Sequence, residues 1–456
     1  MPGLYGLLDL GAAALMAQNA GVATTGRNLA NVNTEGYSRE RVDLQALQAS
    51  PMVGGVRAIG PRRVEDMILG SRERLSASAH GRASASAAAL GDLEVKMNAG
   101  GQDLVTAVAA LFGGIMELAA VPTDDSRRGA VVASAESMAD AFRRTARDVA
   151  QASEDTDARI KAPAEEVSRL SAQVASANTK LVTDPDPVIA DQRDLAAARI
   201  AEITGGTARL DPDGQMRVVV AGGEVLVDGG RAAQLKATPD AALGGKLRLD
   251  VVDGSHVADV TSRLDGGKLA GEVDFRDNQL VEVADRVDQL AYDMATQMNL
   301  AHRANAGMDG ASGRDFFVQP TQVAGAAAAM AVDPGIAADP SLLAGAAVGA
   351  GVGDNTGFLA LADMVDQPLA GGGSRSFGDE AIAVFSDLGS EVRKAEGSAE
   401  LEGARRDVLS AARDSLSGVS AEEEMSRLSQ FQRASEAAAN FLQTVDDLLG
   451  HQIERL

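Results

Sequence analysis

The two ends of the chain carry the strongest constraint on its fold. Near the start, Leu8, Leu15, Val22 and Leu29 recur every seven residues, beside a weaker column of Leu4, Gly11, Gln18 and Thr25. Near the end, Leu428, Phe431, Ser435, Ala438, Leu442, Val445 and Leu449 follow steps of three and four. Such spacing puts every member on one face of a helix and suits that face to packing along another helix. The terminal helices are therefore expected to pair as a coiled coil. Asn33-Thr34-Glu35-Gly36-Tyr37 breaks the first helix, and Gly418-Val419-Ser420 precedes the second. Ser420 with Glu423 fits a capping box, and Glu422 to Glu424 suit the positive end of a helix dipole. Taken alone, terminal seams fit an intramolecular helix pair or a homodimer more readily than a polymer. In that reading Asn28, Asn31 and Asn33 are helix-end and turn residues, with Gly36 at positive φ.

Between the ends the helical pattern continues. Val64 to Met97, Gln102 to Ala120, Asp124 to about Val182 and Pro187 to Thr204 read as helices. Pro163 is a possible break, and Pro185 and Pro187 are a firm stop. Leu280, Val283, Val287, Leu290, Met294 and Ala301 give a further heptad, and Asp379 to Ser417 closes the set. The stretch from Gly205 to Gly267 differs. Short β-branched or alternating runs are separated there by Asp213-Gly214, Gly222-Gly223, Gly229-Gly230, Asp253-Gly254 and Gly266-Gly267, the pattern of a small antiparallel domain. Gly325 to Gly373, rich in Ala, Gly and Pro, reads as ordered loop with short helices. The expected fold is mainly α, a body of long helices with one inserted β domain. Its divisions are 1–64 plus 416–456 for the terminal coiled coil, 65–204 plus 268–415 for the helical body, and 205–267 for the insertion. Leu195 and Ile203 before the insertion are expected to share one core with Leu280, Val287 and Leu290 after it.

Composition narrows the function classes. Lys and Arg number 42 against 65 Asp and Glu, a net charge of −23 that repels phosphate and argues against nucleic acid as a partner. The absence of cysteine excludes disulfides, thiolate nucleophiles and cysteine-ligated metals. Histidine occurs only at His80, His256, His302 and His451, too scattered for a metal cluster, and His302 fits a partly exposed structural role near a helix end. With aromatics at 3% and no Trp, the Ala-rich chain suggests thin helical layers rather than a pocketed enzyme. No stretch is apolar for long enough to insert in a membrane, and Met1 to Leu8 lacks the basic start of a general secretory signal. Asp211-Pro212-Asp213-Gly214 and Met308-Asp309-Gly310 read as turns rather than calcium loops, since the ligand pattern ending in Glu is missing. Gly349-x-Gly351-x-Gly353 follows no strand, and Asp124-Asp125 reads as a helix cap rather than a hydrolase pair. No catalytic residue, cofactor site or metal site is expected.

The most specific signal is Asn28-Leu29-Ala30-Asn31-Val32-Asn33-Thr34-Glu35-Gly36-Tyr37-Ser38-Arg39. It resembles the N-terminal motif of the bacterial flagellar axial proteins, the family of rod, hook and hook-associated proteins. The segment from Val419 to Leu449 also resembles that family, with Glu423, Met425, Leu428, Phe431, Gln432, Ala438 and Ala439 on its pattern. Ser435 stands where the family often has an aromatic residue, and the end His451-Gln452-Ile453-Glu454-Arg455-Leu456 replaces an apolar tail. Four internal segments narrow the resemblance to the hook-associated members of the hook–filament junction. These are Asp191-Gln192-Arg193-Asp194, Phe275-Arg276-Asp277, Asn299-Leu300-Ala301-His302 with Gly313-Arg314-Asp315-Phe316-Phe317, and Gly353-Asp354-Asn355 with Ala360-Leu361-Ala362.

The resemblance implies a non-enzymatic structural subunit, secreted by the flagellum-specific type III route and forming a ring between hook and filament. Its implied partners are like subunits, the hook protein, a second junction protein on the filament side, and an export chaperone at the C-terminal helix. The implied subunit interface comprises Leu4, Leu8, Leu15, Val22, Asn28, Leu29, Asn31, Asn33, Gly36 and Tyr37, with Leu428, Phe431, Ala438, Leu442, Val445 and Leu449 from the far end. In a free monomer these seams, Leu442 among them, are expected to be exposed and mobile. Two alternatives stand beside this: a hook or distal-rod subunit of the same family, and a secreted cell-wall hydrolase with helical arms.

Overall fold

The computed structural model describes residues 2–34, 36–47, 55–98 and 104–453; Glu35 of the turn motif and the tail residues Glu454, Arg455 and Leu456 lie outside these. In chain order come helix α1 (Pro2–Ala30), an antiparallel ribbon of β1 (Glu40–Leu47) and β2 (Gly55–Arg63), then α2 (Met67–Asn98) and α3 (Leu104–Ala120). Helix α4 (Asp125–Thr183) follows and serves as the spine. Its 59 residues span about 90 Å at 1.5 Å per residue. Asp124 caps it by accepting the Arg127 N–H at 3.1 Å. The helix passes through Pro163 unbroken. The lost backbone hydrogen bond is offset because Ile160, Ala164 and Val167 on either side are fully buried.

After α5 (Pro187–Thr204) the inserted strands form two antiparallel sheets. The first runs in order β3 (Thr207–Leu210), β4 (Met216–Val219), β5 (Val225–Asp228) and β6 (Arg231–Ala232); the second is β7 (Gln234–Pro239), β8 (Leu247–Asp253) and β9 (His256–Asp259). Then come α6 (Gly267–Asp274), one π-turn at Phe275–Gln279, and α7 (Leu280–Arg303). Little regular structure intervenes before the long end helices: the bridge of β10 (Asn305–Ala306) with β11 (Ala346–Ala347), and short helices α8 (Ala326–Ala329), α9 (Pro334–Ala338) and α10 (Thr356–Asp363). The chain finishes with α11 (Phe377–Ser417) and α12 (Ala421–Ile453).

Two apolar cores divide the spine between them. Val131, Ala135, Met138 and Phe142 in the first half of α4 pack with Leu111, Phe112 and Ile115 of α3, Leu290 and Met294 of α7, and Phe358 and Phe377. Ile160, Val167 and Val174 in the second half pack instead with Ile200 and Ile203 of α5 and with Met216, Val218, Leu226, Leu235, Leu249 and Val251 of the strands. This corrects the expectation that Leu195 and Ile203 share one core with Leu280, Val287 and Leu290. Ile203 belongs to the strand core, Leu280, Val287 and Leu290 belong to the other, and Leu195 is exposed. A sheet of short strands has one apolar face to bury, and the nearest apolar surface is the far half of α4. The helices flanking the insertion pack together at its base, where Leu269 and Val273 of α6 join Ile200 and Ile203 of α5 in the strand core. There Gly205 and Gly267 hold φ of +73° and +77°, and a Cβ on Gly267 would lie 2.5 Å from the Gly205 nitrogen.

Polar side chains within the internal motifs join these layers. Arg276, wholly buried, donates to Asp157 of α4 at 2.6 Å, to Asp277 at 2.8 Å and to the Leu247 carbonyl at 2.8 Å. Burial opposes its charge, but the bonds to Asp277 and Asp157 outweigh this and hold its pKa above the ordinary value. Asn299 accepts the Phe316 and Phe317 N–H groups at 2.8 Å each and donates to the Phe317 carbonyl at 2.9 Å. His302 is fully buried rather than partly exposed. Its Nε2 accepts the Ala344 N–H at 2.8 Å, which leaves Nδ1 to donate to the Arg314 carbonyl at 2.8 Å. The ring stacks on Phe316. Asn355 donates to the Ala119 carbonyl at the end of α3 at 2.7 Å.

Two measurements follow from this packing. Excising residues 206–266 with a short linker is expected to lower the melting temperature of the helical body, since each aliphatic side chain uncovered on α4 and α5 forfeits about 1.5–3 kcal/mol; calorimetry showing an unchanged melt would count against the shared strand core. The second concerns pH. Burial pushes the His302 pKa below its ordinary value of 6.5, so below that pH the unfolded chain binds the extra proton and stability falls with pH. The melting-temperature gap between wild type and His302→Gln is therefore expected to be widest above about pH 7 and to narrow towards about pH 5.5.

Candidate assembly interface

Helices α1 and α12 pair antiparallel along their length. Asn28 meets Glu424, Gly21 meets Phe431, Asn19 meets Ser435 and Gly11 meets Leu442. The inner face of α1 is formed by small and polar residues rather than by its apolar column. Gly11, Ala17, Gly21, Thr24, Thr25 and Asn28 are buried, while Leu4, Leu8, Leu15, Val22 and Leu29 are half-buried along the flank. The reason is size. A Cβ on Gly21 would lie 2.5 Å from the Phe431 ring, and one on Gly11 would lie 2.8 Å from Leu442 Cδ2. Only glycine leaves room for these side chains. On α12 the expected seam does face its partner: Val445 and Leu449 are buried, and Leu428, Phe431, Ala438 and Leu442 are half-buried. This corrects the expectation that Leu442 stands exposed in the free chain. Ser435 uses its smaller side chain to donate to Asn19 at 3.0 Å.

The turn motif forms a polar latch at the inner end of this pair. Asn28, 1% exposed, donates from Nδ2 to the Glu40 carbonyl and to Glu424, both at 2.9 Å. Its Oδ1 accepts the Glu40 N–H and the Tyr37 hydroxyl, also at 2.9 Å. An asparagine amide thus has its donors and acceptor lone pairs satisfied in one place, joining α1, the turn, β1 and α12. Arg39 donates to Glu424 at 2.8 and 2.6 Å and to Glu423 at 2.8 Å. Burial opposes the guanidinium charge, yet the bonds from Glu423 and Glu424 raise its pKa, and Arg39 in turn holds Glu423 below the usual carboxylate range. Burial, with Glu40 close by, pushes the Tyr37 hydroxyl pKa up. Gly36, at φ +79°, turns the chain, and its carbonyl accepts from Arg413 at 3.2 Å. Asn31 donates to the Arg27 carbonyl at 3.0 Å and closes the helix end; Asn33 is exposed in the turn.

A second set of bonds ties the latch to the body. Ser38 N–H donates to Asp191 of α5 at 3.0 Å, and Arg63 of β2 bridges Asp191 at 2.9 Å and Asp194 at 2.7 Å. Burial opposes the Arg63 charge, but Asp194, Asp191 and Glu65 keep its pKa raised. Arg193, between the two acids, turns the other way and donates to the Gly214 carbonyl among the strands at 2.9 Å. Sequence reasoning missed Arg39, Glu40, Arg63 and Glu424 as partners, and it missed the β1–β2 ribbon. The signal for the first was present: Arg39 closes the turn motif and Glu424 lies in an acidic triplet read only as a helix-dipole feature.

The terminal elements carry exposed apolar side chains, as do other helices such as α2 and α11. Tyr5 and Met16 of α1, Leu44, Val56 and Ile59 of the ribbon, and Met425, Phe441 and Leu448 of α12 are all exposed. No helix among the described residues is long and apolar enough to cross a membrane. A cleft of about 520 Å³ between Arg286, Asp293, Glu380 and the Gly371–Gly373 loop lies away from these elements, whereas one of about 300 Å³ is lined by Pro61, Arg62 and Arg63 of β2 with Asn178, Arg193 and Gly214.

The latch makes a specific prediction. Glu424→Ala removes the buried acid that Arg39 and an Asn28 donor share and leaves Arg39 only the exposed Glu423, a loss of up to about 3 kcal/mol, the low end for breaking a buried pair. Trypsin is then expected to cut α12 at Arg427 and Arg433 faster than in wild type while the body remains resistant. Equal rates in the two proteins would remove Glu424 as the latch.

Known proteins similar to this chain are flagellar. The family model described as the flagellar hook-associated protein FlgK helical domain matches residues 90–317, and that of the flagellar basal body rod FlgEFG protein C-terminal region matches residues 413–455. Flagellar hook-associated protein 1 of Escherichia coli is 22% identical over 96% of this chain and 98% of its own length. That of Bacillus subtilis is 25% identical over 97% of this chain and 96% of its own. The solved flagellar hook junction protein FlgK from Burkholderia pseudomallei shares the fold, with a TM-score of 0.69 at 13% identity, covering 76% of this chain and 100% of that one. The first half of the spine, the strand layer and the joints at Arg276 and Asn299 all fall inside the matched helical domain, and the chain belongs to the flagellar hook-associated protein FlgK family.

Proposed function

We propose that this chain is a structural subunit of the bacterial flagellum that forms the junction ring between hook and filament. The observation that carries this reading is the latched terminal pair, with exposed apolar side chains on both of its helices, in a chain aligned nearly end to end with hook-associated protein 1. Its mechanism is assembly. Burial of such side chains against neighbours supplies about 25 cal/mol per Å², and the apolar flank of α1 from Leu4 to Leu29 widens the surface that neighbours can cover. In this reading the partners are like subunits, the hook protein on one side and a second junction protein on the other, with α12 bound by a chaperone before type III secretion. Leu428, Phe431, Ala438, Leu442, Val445 and Leu449 then act at the interface indirectly, by holding α12 on α1 so that the outer faces are presented. A hook or rod subunit is the less supported reading, since the rod-protein match is confined to residues 413–455.

Electron microscopy of cells lacking this chain tests the proposal. Hooks without filaments, with filament protein shed into the medium, are expected, and filaments of normal number would overturn it. Met16, 72% exposed on α1, separates folding from assembly. Met16→Asp is expected to keep the wild-type melting temperature within the scatter usual for surface changes, about 0.5 kcal/mol, yet fail to restore filaments.

A further inference from the structure

The second half of α11 is covered on one side only. From Ala399 onwards the half-buried positions are Ala399, Glu402, Gly403, Leu409, Ser410 and Arg413, on the side towards α2, with which α11 runs antiparallel; Arg413 pairs with Glu73 at 3.6 Å and Gly403 lies against His80. At 3.6 residues per turn the opposite face, about 180° away, is Leu401, Ala404, Val408, Ala411 and Ser415. These follow steps of three and four, the pattern of a helix-packing seam, and all are exposed, Leu401 by 60% and Val408 by 68%. Along one flank stand Glu400, Asp407 and Asp414, seven residues apart and exposed. The ion pairs of this segment run through Glu402, Arg405, Arg406 and Arg413. Glu400, Asp407 and Asp414 take part in none among the described residues.

Helix α2 carries a different exposed stripe. Its buried residues Ser78, Gly81 and Ala85 lie towards α5 and α6, and Glu73 and His80 lie towards α11. Between those faces Ile68 and Leu75 stand 68% and 72% exposed. Arg72 is exposed between them and has no ion pair among the described residues. The two stripes are complementary. One has small alanines alternating with larger side chains beside a row of acids; the other has two bulky aliphatic side chains around an arginine.

We infer that the α11 stripe of one subunit receives the α2 stripe of a second copy of this chain. This inference rests on the proposed ring and deepens it. A closed ring requires head-to-tail contacts between two unlike surfaces of the same molecule, and these two surfaces are unlike, apolar and matched in charge. Ile68 and Leu75 enter the spaces over Ala404 and Ala411, and Arg72 meets the acid row. The terminal helices then form the inner contact of the ring and the α2–α11 arm forms an outer one.

The test uses the full chain in flagellated cells whose own copy is deleted. Val408 is replaced by the photocrosslinking residue p-benzoylphenylalanine, isolated flagella are irradiated, and the product of twice the chain mass is mapped by mass spectrometry. Crosslinks into residues 67–82 of a second copy are expected. The triple variant Glu400→Lys, Asp407→Lys, Asp414→Lys in the same background is expected to lose that product while its monomer melts as wild type. Crosslinks to another segment or another protein, or no product from flagella that contain the chain, would overturn the α2–α11 contact and leave the junction reading intact. Absence of the chain from isolated flagella would overturn the junction reading and this contact with it.

Discussion

The amide of Asn28 is where the terminal elements become one body. It is buried, and both its ends are committed to groups from a turn, a strand and a helix distant in sequence. A buried amide of this kind is costly unless every bond is made. Its preference is therefore for a single arrangement of Tyr37, Glu40 and Glu424. Arg39 adds charge to the same arrangement, and Ser417 fixes it further by accepting the Arg39 N–H at 2.8 Å. The helix pair itself is held by small-residue contact at Gly11 and Gly21, which permits close approach but specifies register less strictly than the latch does.

From that latch, polar contacts lead outward through the molecule. Asp191 takes the Ser38 N–H on one side, while Arg193, two residues on, reaches the strand layer. Asp157 on the spine accepts the Leu247 N–H at 3.2 Å, and Arg276 donates to both Asp157 and the Leu247 carbonyl, so the second sheet is held by both of its backbone groups at that point. Asn299 and His302 do the same for the irregular segment around Phe316, which an Ala- and Gly-rich chain could not fix by apolar packing alone. The motifs around Asn28, Asp191, Arg276 and Asn299 thus coincide with places where irregular backbone or strand is held by a buried side chain.

Much of this was legible from residue patterns. Helix ends at Asp124, Pro187 and Ser420, the strand-and-turn rhythm from Thr207 to Asp259, and the seam on α12 are local signals, set by capping, proline geometry and periodicity within a few residues. The turn motif likewise resembles the flagellar axial proteins through contiguous residues alone. Less legible was which side of α1 would face inward. The apolar column at Leu8, Leu15, Val22 and Leu29 is the stronger sequence signal, yet the buried face is the one with Gly11, Gly21 and Thr25, because Phe431 and Leu442 need the space that glycine leaves.

By itself, then, the sequence determined the helices, the inserted strands, the pairing of the ends and the family, since these depend on short-range order or on motifs contiguous in the chain. Tertiary structure alone decided that Ile203 joins the strands rather than Leu280, that His302 is buried and neutral between Ala344 and Arg314, and that Arg39 and Glu424, 385 positions apart, form one buried pair. Those outcomes depend on which surfaces meet in space. Periodicity marks which residues must be covered, but what covers them is set by the shape and spare hydrogen bonds of segments far away in the chain.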